Sequence, residues 1–250
     1  PVCSGFLIPG GTLSAWARQV ADPPTAAAFL GLMGHSLGLA ATAALLALVL
    51  ALILGYGRRL HPTRGVTAAV RIAGMGYAVP GTVIAVGVII PFAWLDNSLD
   101  AWMRANFGLS TGLLLSGTLA ALLFAYLVRF LAVALQTVES GLGKIRPAMD
   151  ESARSLGLRP GGVLRRVHLP MLRGSLLTAL LLVFVDVLKE LPATLILRPF
   201  NFNTLAVRVY ELAADERLAD AAPAALAIVL TGLLPVILLR PSITHSRHAQ

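Results

Sequence analysis

Between Gly34 and Gly57 the chain runs without a single Asp, Glu, Lys or Arg, and most of that stretch is Ala and Leu. About 20 apolar residues in a helix cross the roughly 30 Å hydrocarbon layer of a bilayer. Lipid offers no hydrogen bonds to the backbone, so such a run must satisfy its own peptide groups, and a helix does so. Long, largely apolar runs recur at residues 72–95, at about 112–135, at 174–197 and at 221–239. Residues 1–17 also lack charge and read as the end of a further span, truncated at its start. The pattern predicts an all-α membrane protein, a bundle of about six transmembrane helices, in one transmembrane domain over 1–250. Pro80-Gly81 should kink the third span. Asp96 to Gly108, with Asp96, Asp100 and Arg104, reads as a loop.

Composition agrees. The chain is 57% hydrophobic and 13% charged, with a mean hydropathy of +0.80, whereas soluble domains carry roughly one quarter charged residues. The formal charge of +8 could signal nucleic acid, but the cations lie between apolar spans, where membrane topology explains them. One set of loops (58–71, 136–173 and the tail from Arg240) holds 13 Lys and Arg. The opposite set holds five: Arg18, Arg104, Arg198, Arg208 and Arg217. The positive-inside rule puts the first set in the cytoplasm.

Several chemistries find no support. Cys3 is the single cysteine, which excludes an internal disulfide, and the five histidines form no ligand spacing. Gly141-Leu142-Gly143-Lys144 lacks both the spacing and the hydroxyl of a phosphate-binding loop. The chain is therefore expected to hold no cofactor and to hydrolyse no ATP itself.

The one long polar segment is Asp150 to Pro170, DESARSLGLRPGGVLRRVHLP. Asp150 and Glu151 suit a helix start, Gly157 suits a helix end, and Pro160 suits the first turn of a second helix. Pro170 should stop that helix before the next apolar run. Two short helices joined by a tight turn follow, studded with Arg154, Arg159, Arg165 and Arg166. Glu151, Ala153, Gly157, Val167, Leu169 and Pro170 fit the pattern E-A-A-x3-G-x9-I-x-L-P, with Ser152 and Val167 as the departures. The segment thus resembles the cytoplasmic signature loop of binding-protein-dependent ABC importer permeases. That resemblance implies a coupling helix for a separate ATPase subunit, with Arg165 and Arg166 meeting ATPase acids or lipid phosphates. It further implies a second permease half, a periplasmic solute-binding protein and a place in the bacterial inner membrane. A basic loop lying on anionic lipid is the plainer alternative.

The fifth span contains Asp186, Lys189 and Glu190, followed by Pro192. On one continuous helix the i, i+3 and i, i+4 spacings put the three charges on one face. Lipid-facing charges cost at least about 2.5–3.5 kcal/mol each, so that face should point into a path or gate, or into a buried ion pair. Lys189 to Pro199, with Asn203 to Arg208 and Tyr77 to Gly81, is similar to ferric-iron importer permeases and best fits the second half of a two-half chain. Ferric iron is the solute this implies; thiamine and polyamine permeases share much of the frame. Asn203 to Asp220 carries Leu205, Val209 and Leu212 at helical spacing, which predicts a short amphipathic helix, either a connector packed on the bundle or a docking element for a soluble substrate-binding protein. A secondary cation transporter or channel using Asp186 and Glu190 as a relay is the competing function, and a membrane-embedded enzyme lacks the paired motifs it would need.

Overall fold

The computed structural model describes residues 3–20 and 25–248, with side chains as far as residue 237. Pro1, the end of the break at 18–24, and the side chains of the tail from Arg240 lie outside the described residues. Those residues form helices and turns and no strand. In order they are α1 (Ile8–Ala17), α2 (Ala26–Leu60), α3 (Arg64–Ala73), α4 (Gly81–Phe107), α5 (Leu119–Gly143), α6 (Pro147–Ser155), α7 (Pro160–Val163), α8 (Leu169–Leu188), α9 (Pro192–Leu197), α10 (Leu205–Ala214) and α11 (Leu218–His248). Five helical segments among them are long and apolar enough to cross a membrane: Ala26–Leu60, Gly81–Phe107, Leu119–Gly143, Pro160–Leu188 and Leu218–Ile237. The uncharged stretch at 1–17 forms the ten-residue α1, preceded by a π-type turn at Cys3–Leu7, and is not among those five.

Contacts divide the chain into two compact units. One comprises residues 1–41, 81–125 and 187–234, and the other 42–80, 126–186 and 235–250.

In the first unit, α4 continues to Phe107 through the residues that read as a loop. Charge ends an apolar run on paper, but here the carboxylates have partners. Asp96, only 2% exposed, accepts the amide N–H groups of Leu114, Leu115 and Ser116 at 2.7–3.2 Å and also the Ser116 hydroxyl. One turn on, Asp100 accepts from the amides of Thr111 and Gly112 and from the Ser110 hydroxyl, and pairs with Arg104 at 2.7 Å. The segment 110–118 is thereby wrapped onto α4, and α5 starts at Leu119 rather than near 112. The predicted connector is α10, begun by Thr204, whose hydroxyl oxygen accepts from the Val207 amide. Leu205 is fully buried with Ala224 and Ala227, against Phe29, Leu32, Met33, Val209 and Ile228. Its amide donates to the Ser36 hydroxyl oxygen at 2.8 Å.

In the second unit the expected kink at Pro80 is a break. α3 ends at Ala73, a 3-10 turn covers Gly76–Ala78, and Val79 is extended before Pro80, as a residue preceding proline prefers. Gly76 passes so near α5 that an added Cβ would stand 1.7 Å from the Val128 carbonyl oxygen. Pro170 does not stop a helix. α7, a π-type turn at Leu164–His168 and α8 form one run from Pro160 to Leu188. The wide turn just before Pro170 makes room for a ring that would otherwise strike the carbonyl four residues back.

Candidate functional site

The polar segment folds as two helices around a glycine. α6 begins at Pro147, with Asp150 in its first turn and Arg154 in its last. Gly157 has φ +84°, its N–H bonds the Arg154 carbonyl at 2.9 Å, and the Leu158 N–H bonds the Ala153 carbonyl at 3.1 Å. This pair of bonds is the Schellman ending, and the left-handed residue within it favours glycine. Pro160 then opens α7.

A clamp from α2 fixes this loop. Arg59, in the last turn of α2, donates from Nε to Asp150 Oδ2 at 2.8 Å, from one terminal nitrogen to the Leu142 carbonyl at 2.6 Å, and from the other to the Ile145 carbonyl at 2.8 Å. One planar fork thus satisfies the end of α5 and the start of α6. The second Asp150 oxygen lies 2.6 Å from His168 Nε2. A carboxylate only accepts, so Nε2 carries the hydrogen, and the buried Nδ1 has no hydrogen-bond partner among the described residues. Tyr56, three residues before Arg59, donates its hydroxyl to the Pro160 carbonyl at 2.7 Å and meets the His168 ring edge-on at 5.3 Å.

Burial alone would raise the Asp150 pKa, but the hydrogen bonds and charges of Arg59 and His168 outweigh it and hold the carboxyl below its ordinary value. A folded-state value lowered in this way stabilises the fold above the ordinary carboxylate pKa of about 3.9 and ceases to do so as pH falls through the lowered value. The wild-type melting temperature should therefore fall more steeply on acidification below about pH 4 than that of Asp150→Asn. Parallel melting curves in acid would show that Asp150 bears no such load.

Of the residues singled out in the sequence, Glu151, Ser152, Gly157, Arg165, Arg166 and Pro170 are exposed, Ala153 is buried, and Val167 and Leu169 are half-buried. Met149, Ala153, Leu156, Leu158 and Val167 line an open apolar hollow of about 490 Å³ beside α6, and Leu156 is 83% exposed at its edge. Sequence reasoning missed Tyr56, Arg59, Asp150 and His168 as a set. Arg59 served there only as a topology cation, and nothing local links it to a residue 91 positions on.

No single continuous helix carries Asp186, Lys189 and Glu190. α8 ends at Leu188, and Lys189 to Leu191 lie between helices. Pro192 explains the break, because its ring would clash with the carbonyl of Leu188, four residues back. Asp186 is half-buried in α8, whereas Lys189 is exposed and Glu190 is 6% exposed. Pro192 starts α9, where Glu190 accepts the Ala193 amide at 3.2 Å and its backbone carbonyl accepts the Thr194 hydroxyl at 2.7 Å.

Residues 47–242 match the family described as binding-protein-dependent transport system inner membrane component. The chain is 30% identical over 170 residues to the Fe(3+)-transport system permease protein FbpB 2 of Haemophilus influenzae, a match covering 68% of this chain and 30% of that protein. It is 29% identical over 163 residues to the putative 2-aminoethylphosphonate transport system permease protein PhnV of Salmonella typhimurium, covering 65% of this chain and 55% of that one. The matched region is thus between about a third and about half of these curated relatives' length. Among solved structures, a bacterial ABC transporter that imports the acidic polysaccharide alginate superposes with a TM-score of 0.65 at 14% identity, over 99% of this chain and 91% of that one. A chain of the alginate transporter in complex with an alginate-bound periplasmic protein gives 0.70 at 14% identity, over 97% and 91%.

Proposed function

The chain belongs to the binding-protein-dependent transport system inner membrane components, and from that premise we propose that it forms half of the solute path of an ATP-driven importer and carries ferric iron. The observation that carries the coupling role is the helix–glycine–helix loop at 147–168, gripped by Arg59 and bordered by the apolar hollow. An ATPase subunit docks there, with Arg165 and Arg166 facing its acids or the lipid phosphates. A second permease half completes the path in the inner membrane, and a periplasmic binding protein delivers the solute. Asp186, Lys189, Glu190 and Pro192, at the broken end of the fifth span, belong to the path or its gate.

The ferric reading draws support from the Haemophilus relative and from the oxygen donors of Asp186 and Glu190, which suit a hard cation. The Salmonella relatives make 2-aminoethylphosphonate the solute to test against it.

The experiment reconstitutes the chain with its ATPase, second half and binding protein in liposomes, with either solute labelled. Gly157→Val should lower ATP-driven uptake roughly tenfold, the scale of losing a coupling free energy between sites, while the bundle stays folded, because a β-branched residue resists positive φ. Unchanged uptake would remove the coupling role from this turn. Uptake of the phosphonate alone would replace iron, and transport by the chain without an ATPase would favour the secondary-transporter reading.

A further inference from the structure

We propose that α3 and the turn before it hold the phosphate of an anionic phospholipid at the membrane surface. The helix has two unlike sides. Val70 is 2% exposed and Val66 half-buried, while Arg64, Ala68 and Arg71 form an exposed stripe at helical spacing, with exposed Met75 just past the helix end. Pro62, Arg64, Thr67, Ala68, Arg71 and Ile72 line an open groove of about 530 Å³. Ala68 is exposed between the two arginines, and Thr67 precedes it in the sequence.

Charge selects the occupant. Arg58 and Arg59, at the neighbouring end of α2, are each paired with a carboxylate, Glu139 and Asp150, both at 2.8 Å. Arg64 and Arg71 have no ion-pair partner among the described residues. Seven helical residues separate them by roughly 10 Å along the axis, a span that two long guanidinium side chains can close around one phosphate, each by two parallel bonds.

The apolar part distinguishes a lipid from a free phosphate. Ile72 is 70% exposed and Met75 65% exposed beside the same stripe, a surface that acyl chains would cover and inorganic phosphate would not. α3 also joins two helices long enough to cross a membrane, which puts it at a bilayer boundary. Basic residues there attract the anionic lipids of the cytoplasmic leaflet.

The full chain, purified in detergent from a phosphatidylglycerol-containing membrane, can be weighed by native mass spectrometry. A second preparation in nanodiscs of phosphatidylcholine titrated with phosphatidylglycerol gives the affinity. Arg64→Gln/Arg71→Gln should weaken phosphatidylglycerol binding roughly thirtyfold, as expected for two basic residues at a lipid surface. Lys144→Gln/Arg173→Gln, which removes the same charge from two exposed side chains elsewhere, should leave it within about twofold. Equal losses in both variants would reduce the effect to net charge and overturn the site, as would no loss in either. Displacement of the lipid by millimolar inorganic phosphate would also overturn it, in favour of a free-phosphate site. Should the double variant unfold, the single Arg64→Gln change carries the same reading with half the charge lost.

Discussion

Arg59→Ala should be among the most damaging single substitutions in this chain, lowering stability by about 3–5 kcal/mol, the usual result of removing one partner of a buried ion pair. Three acceptors depend on the one guanidinium: an Asp150 oxygen and the carbonyls of Leu142 and Ile145. The two charged side chains are only 17% and 13% exposed, so water cannot take over. Arg59→Lys should recover a minority of the loss, since an ammonium cannot reproduce a planar fork. The neighbouring Arg58 gives the contrast. Its pair with Glu139 has the same 2.8 Å length but side chains 39% and 31% exposed, so Arg58→Ala should cost about 0–1 kcal/mol. Melting in detergent by tryptophan fluorescence ranks the three variants, and similar losses from Arg58→Ala and Arg59→Ala would refute the clamp. ATP-driven uptake should fall with Arg59→Ala even at temperatures where the protein remains folded, because the loop then has no fixed seat.

Gly76→Ala is the second change with a large expected effect. The new methyl would meet the Val128 carbonyl oxygen at 1.7 Å and its carbon at 2.8 Å. Both are backbone atoms, so no rotamer change relieves the clash, and α5 or the 3-10 turn must move. Overpacking of this kind costs typically 1–3 kcal/mol and here should exceed the upper end. Gly57→Ala is the matched control. No atom lies within 4 Å of its added Cβ, and alanine in a helix gains up to about 1 kcal/mol over glycine. If the two variants melt at the same temperature, the close approach at Gly76 is not the constraint described.

Some of this was legible in the sequence because it depends on near neighbours. The Gly157 ending, the Pro160 start and the Leu205–Val209–Leu212 stripe each follow from residues within one or two helical turns. The failures share another cause. Asp96 and Asp100 looked like the end of a span because charge in lipid is expensive, yet the amides of residues 111–116 remove that expense, and no local pattern announces them. Pro170 and Pro192 carry the same stereochemistry and reach opposite results. A π-type turn precedes Pro170 and the helix continues, whereas no such turn precedes Pro192 and α8 ends four residues earlier. The spacing argument for Asp186, Lys189 and Glu190 assumes one continuous helix, and that helix ends at Leu188.

The clamp also orders events during synthesis. Arg59 emerges long before its partners, since Leu142, Ile145 and Asp150 follow it by 83, 86 and 91 residues. At 5–20 residues per second, the delay is on the order of 5–20 s. Through that interval the guanidinium must stay hydrated or rest on lipid phosphate, and the end of α2 is unfinished. Tyr56 waits longer still, for Pro160 and then His168. The hairpin that α2 begins therefore leaves the ribosome as a provisional object, and the 147–168 loop is what makes it final.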